Sequence, residues 1–142
     1  MALTAKIQHI HPQNWDGNPP ENGGWKKVIL HLTAICSADG VNTDEDDVIK
    51  LDLSELRKID GTVPTRTAIE RITWNVGGFD NVKLSWDRAP ENTIAVLTGH
   101  GKINKAIVDQ SEDGDRSGDV MLTTFGAAAG ASYDINITIR LK

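Results

Sequence analysis

Residues 68–88, AIERITWNVGGFDNVKLSWDR, narrow the folds open to this chain more than any other stretch. In the second half Val82, Leu84 and Trp86 alternate with Asn81, Lys83, Ser85 and Asp87. A period of two sends successive side chains to opposite faces of a strand, one dry and one wet. In the first half Ile72, Trp74 and Val76 share a face, with Arg71, Thr73 and Asn75 on the other. The joining segment, Gly77-Gly78-Phe79-Asp80-Asn81, is short and glycine-rich, as a turn with one or two residues at positive φ requires. The expectation is a β-hairpin that sets Trp74 and Trp86 in or beside one core, each contributing a large apolar area.

The same period recurs along the chain. Leu3 to His11 reads as an opening strand, with Leu3, Ala5 and Ile7 in phase. In Trp25 to Cys36, Val28, Leu30, Leu32, Ala34 and Cys36 alternate with Lys27, Ile29, His31, Thr33 and Ile35. That second face is itself half apolar, so the strand is expected to be covered on both sides or to lie against another subunit. Val48 to Leu53 places Ile49, Leu51 and Leu53 in one phase, and Thr93 to Thr98 and Asp119 to Phe125 are further short strands. Tyr133 to Leu141 alternates most cleanly, Tyr133, Ile135, Ile137, Ile139 and Leu141 against Asp134, Asn136, Thr138 and Arg140.

Between these runs lie segments unable to continue them. PQNWDGNPPENGG, residues 12–24, is too rich in Pro, Gly and Asn for a helix or a central strand. Residues 37–47 form a polar turn ending in an acidic run, and Gly99-His100-Gly101 marks a bulge or tight bend. Residues 52–60, DLSELRKID, have room for one helical turn capped by Ser54, too short to count as a structural helix. From Gln110 the chain becomes a Ser/Asp/Gly-rich loop, and residues 126–132, GAAAGAS, are a small-residue connector. The reading is an all-β protein: one β-sandwich domain over residues 1–142, jelly-roll-like, with about eight strands and a Pro/Asn/Gly-rich loop at 12–24.

Composition enters where partners are concerned. A net charge of −5 argues against nucleic acid or an anionic membrane as the main partner, since both need a concentrated basic surface. No apolar run approaches the roughly 18 to 20 residues that span a bilayer, and the start, MALTAKIQHI, lacks the order of a signal peptide. The lone cysteine, Cys36, has no partner for an internal disulfide and ends an apolar run, so a buried structural thiol is expected.

No motif carries recognisable catalysis. His9 and His11 stand two apart on a predicted strand while His31 and His100 lie elsewhere, without compact metal-site spacing. Asp44-Glu45-Asp46-Asp47 and Asp109 to Asp119 concentrate carboxylates of the kind calcium takes. In the second run Asp109, Ser111, Asp113 and Gly114 mimic a calcium loop, but Val120 stands where the closing Glu belongs. Solvated acidic loops are the expectation. Ser37, Ser54, Ser85, Ser111, Ser117 and Ser132 lie in no nucleophile-elbow context, and a Glu70–Asp87 glycosidase pair lacks the aromatic cleft it would need. No catalytic residue, metal site or cofactor is assigned.

The four tryptophans favour binding instead. Trp25, Trp74 and Trp86 read as core, while Trp15 falls in an irregular loop where a large aromatic must tuck back or meet a partner. A sandwich presenting Trp15 and Trp25 from adjoining loop and strand is also suited to stacking a sugar ring. Candidate partner-binding residues are Trp15, Asn18, Pro19, Pro20 and Trp25.

The segments MALTAKI, ITWNVGGFDNVKLSWD, IAVLTGHG, SGDVMLTT and SYDINITIRLK, in that order, resemble small all-β proteins of tailed bacteriophages, notably those of marine bacteria and cyanobacteria. The resemblance is spread over most of the chain and is strongest from about Ile72 onward. It implies a non-enzymatic virion structural protein, and within that class a capsid decoration (cement) protein on the outer capsid surface. Its implied partners are the major capsid protein and copies of itself, as a homotrimer, with no nucleic acid and no membrane. It would be made in the host cytoplasm and end on the virion. The alternatives are a carbohydrate-binding module on the virion surface, or a low-copy head-completion, neck or tail component. On the decoration reading, residues 1–24 are expected to touch the capsid.

Overall fold

The computed structural model describes residues 3–11, 23–38, 42–64, 67–88, 92–108 and 116–141. Its strands are β1 (Thr4–His11), β2 (Lys27–Ile35), β3 (Val48–Leu51), β4 (Thr67–Gly77) and β5 (Asn81–Arg88). They continue with β6 (Asn92–Leu97), β7 (His100–Ile103), β8 (Ile107–Val108), β9 (Arg116–Phe125) and β10 (Ser132–Leu141). One 3₁₀ turn, Leu53–Glu55, is the only helical element among the described residues, where no helix is long and apolar enough to cross a membrane.

Two antiparallel sheets face each other. One has the order β1-β2-β10-β4-β7, with β8 also beside β4, and the other runs β3-β9-β5-β6. Setting aside β1 and β8, strands β2, β10, β4 and β7 oppose β3, β9, β5 and β6, the two four-stranded sheets of a jelly roll. The sequence-based fold class is therefore right.

The core is built from the phases read in the sequence. Val28, Leu30 and Leu32 of β2 and Ile135, Ile137 and Ile139 of β10 line one inner face. Val82, Leu84 and Trp86 of β5 meet Val120 and Leu122 of β9 on the other. Each large side chain fully withdrawn from water contributes about 1.5–3 kcal/mol. Trp86 is 1% exposed, and Cys36 is buried as expected. Trp74 reaches only the edge of the core. Its Nε1–H donates to the Thr98 carbonyl oxygen at 3.0 Å. Its ring lies across Gly101, where a Cβ would come within 2.6 Å of it.

The predicted hairpin does not exist. β4 and β5 stand in opposite sheets, and the Gly77-Gly78 turn arches between them. Both edges of β4 are already occupied, one by β10 and the other by β7 and β8. β5 pairs with β6 and β9 instead. Alternation and a glycine turn are common to hairpins and arches, so the sequence does not separate the two. The placement of Trp74 and Trp86 survives, because an arch also turns both inner faces toward one core.

Other expectations need smaller corrections. Gly99, at φ 57°, does form a bend, but His100 begins a further strand across the sandwich. β8, only two residues long, carries no period for the sequence to register. A register shift between Ile49 and Leu51 breaks the phase in β3, leaving Ile49 exposed and Lys50 buried. The cap of the 3₁₀ turn is Asp52, whose Oδ1 accepts from the Ser54 backbone N–H at 2.9 Å and from its hydroxyl at 2.7 Å. The second face of β2 is not covered as a core would be within the described residues: Ile35 there is 65% exposed. The Pro/Asn/Gly-rich loop expected at 12–24 falls outside the described residues except for Gly23 and Gly24.

Candidate binding cleft at one end of the sandwich

A cavity of about 550 Å³ opens where β2 begins and β10 ends. It is lined by Trp25, Lys26 and Lys27 from one segment, Lys58, Ile59 and Asp60 from another, and Arg140 and Leu141. Three backbone features hold these segments together. The Trp25 N–H donates to the Arg57 carbonyl oxygen, and the Leu141 N–H to that of Lys26, both at 2.9 Å. Gly24 lies so flat on the neighbouring segment that a Cβ there would stand 2.0 Å from the Arg57 carbonyl oxygen. Only glycine permits that approach.

The polar lining is fixed from both sides. Asp60 accepts from the Thr62 hydroxyl at 2.6 Å and from its backbone N–H at 3.0 Å. These two bonds hold its carboxyl below the ordinary carboxylate range. Glu70, facing outward on β4, takes Lys27 Nζ on Oε2 at 3.1 Å and Arg140 Nε on Oε1 at 2.9 Å. The Lys27 hydrogen bond, with the charges of Lys27 and Arg140 behind it, lowers the Glu70 pKa against the opposing pull of burial. A second cavity of about 300 Å³ lies on the far side of Arg140, lined by Ala68, Glu70, Asn104, Lys105, Ala106 and the same Arg140.

Trp25 thus packs partly against the core and presents the rest to the cleft. It is the one predicted partner-binding residue placed there; Trp15, Asn18, Pro19 and Pro20 lie outside the described residues. The reading of Trp25 as wholly core is corrected accordingly. Lys27, Glu70 and Arg140 were not singled out by sequence reasoning as a binding set. The available signal was their outward phase on three different strands, which does not reveal that those strands are neighbours.

Other sequence candidates do not converge. His31 bonds Asp134 at 2.8 Å and Gln8 at 3.4 Å, on a strand separated from that of His100 by β10 and β4. A register shift falls between His9 and His11. Among the described residues no three His, Cys, Asp or Glu are grouped as metal ligands require. Glu70 and Asp87 lie on strands of opposite sheets, so the structure does not bring them together as a pair. Asp109, Ser111, Asp113 and Gly114 fall outside the described residues, and Val120 is core.

The acidic run is exposed at Asp44, Asp46 and Asp47, as expected of a solvated loop, and it is also tied to the sheets. Asp44 Oδ1 accepts from the Thr124 hydroxyl and from the Ala127 N–H, both at 2.9 Å. Glu45, its side chain 9% exposed, lies between the Tyr133 hydroxyl, which donates to Oε1 at 2.6 Å, and Lys50 Nζ, which donates to Oε2 at 2.5 Å. Asp47 Oδ1 accepts from the Thr123 hydroxyl at 3.1 Å. These carboxylates latch the loop onto β9 and β10. Burial, with the Glu45 bond adding to it, pushes the Tyr133 phenol far above its ordinary pKa.

No protein-family model matches the chain, and no curated protein does. Among solved structures, it is similar to a mutant of a family 29 carbohydrate-binding module at 11% identity, covering 96% of this chain and 85% of that one, with a TM-score of 0.40. A second structure of a family 29 carbohydrate-binding module aligns at 10% identity over 96% and 88% of the two chains, with a TM-score of 0.39. A third, complexed with cellulohexaose, aligns at 9% identity over 97% and 90%, also with a TM-score of 0.39. At TM-scores this low the likeness carries no argument about function.

Proposed function

We propose that this chain is a non-catalytic carbohydrate-binding β-sandwich, with the cleft at Trp25 as its site. The observation that carries the reading is the composition of that cleft. An aromatic ring lines a cavity within the usual size range of ligand pockets, roughly 300–1,000 Å³, beside hydrogen-bonding groups of both signs. A sugar ring asks for that combination. Its C–H face packs on an aromatic π-surface, and its hydroxyls donate to carboxylates and accept from ammonium or guanidinium groups. Asp60 supplies an acceptor, joined by Glu70 of the adjoining cavity; Lys27, Lys58 and Arg140 supply donors. The test is calorimetric titration of the whole chain with a panel of oligosaccharides, repeated with Trp25→Ala. A loss of affinity of about tenfold or more on removing the ring, the scale of an aromatic anchor, is expected. Unchanged affinity in the variant, or no binding across the panel, would overturn the proposal.

A second reading is favoured by the outer faces. Ile35 is 65% exposed, Val96 57% and Phe125 42%, and a subunit that buries surface against its neighbours carries apolar groups of this kind. On that reading the protein is a capsid decoration protein of a tailed phage. It would bind the major capsid protein on the virion's outer surface as a homotrimer, using patches of about 800 Å² per partner. Light scattering tests it first: a clean monomer at all concentrations counts against it, and a trimer calls for counting copies per particle.

A further inference from the structure

We propose that the cleft selects acidic glycans, chains whose sugars carry carboxylates, over neutral ones of the same backbone; this rests on reading the cleft as a glycan site. The argument comes from how charge is distributed. Arg140 lines both cavities, so the two form adjoining parts of one surface. Its cations are Lys26, Lys27, Lys58, Lys105 and Arg140, and its anions are Asp60 and Glu70. Among the described residues, five against two leaves an excess of three positive charges on this surface of a chain whose net charge is −5.

Among the described residues that excess is not neutralised. Glu70 is shared by Lys27 and Arg140, which leaves one positive charge over in that cluster. Lys26, Lys58 and Lys105 form no ion pair with any described residue. Spread around the rim, they set a positive potential over the cleft that draws in an anionic ligand and is screened by salt.

The two carboxylates decide what kind of anion fits. A phosphodiester backbone presents a charge at every unit and favours a continuous basic stripe, which Asp60 and Glu70 interrupt. A uronate chain presents one carboxylate per ring among several hydroxyls. The hydroxyls suit Asp60 and Glu70, the carboxylates suit the lysines, and the ring faces suit Trp25.

A matched pair of ligands isolates the effect. β-1,4-linked mannohexaose and the β-1,4-linked mannuronate hexamer differ only at C6, CH₂OH in one and carboxylate in the other. Both are titrated calorimetrically into the full chain, with inorganic polyphosphate as a polyanion control. We expect the mannuronate hexamer to bind about tenfold tighter at about 0.05 M salt, with most of that advantage lost at about 0.5 M. The double variant Lys26→Ala, Lys105→Ala, at two exposed lysines, should lose most of the preference while retaining mannohexaose binding and an unchanged melting temperature. Trp25→Ala should weaken both hexamers.

Equal affinity for the two hexamers overturns the acidic preference and leaves the glycan reading standing. Binding of neither hexamer overturns both. Polyphosphate binding as tight as mannuronate, with all three ligands indifferent to Trp25→Ala, marks unselective charge attraction and overturns both as well.

Discussion

The backbone of Ala131 sits where a side chain on Gly78 would have to go. A Cβ on Gly78 would lie 2.8 Å from Ala131 Cα and 2.9 Å from its Cβ, and Gly78 holds φ at +82°. Ala131 is fully buried, directly before β10. The arch between the sheets is thereby seated against the start of the strand that pairs with β4.

Gly78→Ala should therefore cost about 2–4 kcal/mol, combining a left-handed conformation with overpacking against backbone. Gly77→Ala is the control. It has no positive φ and nothing within 4 Å of its Cβ position, so a change within about 0.5 kcal/mol is expected. Urea denaturation of both variants gives the comparison. Equal destabilisation would mean that the seat on Ala131 is unimportant.

The buried cluster of Glu45, Lys50 and Tyr133 yields a graded series. Glu45→Gln leaves the Lys50 ammonium, with a side chain 3% exposed, without its counter-charge. A loss of about 3–5 kcal/mol is expected. Tyr133→Phe removes one hydrogen bond to a charged acceptor and should cost about 1.5–3 kcal/mol. Replacing Glu45 and Lys50 together with Leu and Met should recover much of the Glu45→Gln loss. Thermal melts would rank the three; a double variant no better than Glu45→Gln would show that the ion pair is not the source of the penalty.

Acid should loosen the cleft. The Glu70 carboxyl has a pKa below its ordinary value of 4.5, which makes the folded state bind its proton less readily than the unfolded chain. The resulting stability is present above about pH 4.5 and disappears as pH falls through the lowered folded value. Between about pH 5 and pH 3, the melting temperature of the parent should fall more steeply than that of Glu70→Gln. Parallel curves for the two proteins would remove Glu70 from the explanation.

Cys36 should be inert in the folded protein. It is 2% exposed and burial raises its thiol pKa, so thiolate and access are both lacking. Reaction with a thiol reagent in native buffer should be at least about a hundredfold slower than in strong urea, being gated by opening of the fold. Comparable rates in the two conditions would show that β2 frays at its end.

The sequence by itself determined that this chain is all β and which side chains face inward. Tyr133, Ile135, Ile137 and Ile139 are core because a strand with those residues in one phase has a single face to bury. Alternation records the dryness of a face and is silent about the neighbour across the ladder. The segment around Gly77-Gly78 illustrates the limit: its turn and its two inward faces were legible, while its partners were not. Pairing was decided by the whole molecule: β10, the last strand of the chain, takes one edge of β4, and β7 and β8 take the other, so no edge is left for β5. The cleft depends on tertiary structure still more. Trp25 could be suspected from its residue type. Lys27, Glu70 and Arg140 become one cluster only because β2, β10 and β4 lie side by side, bringing together charges separated by 43 and 70 residues along the chain.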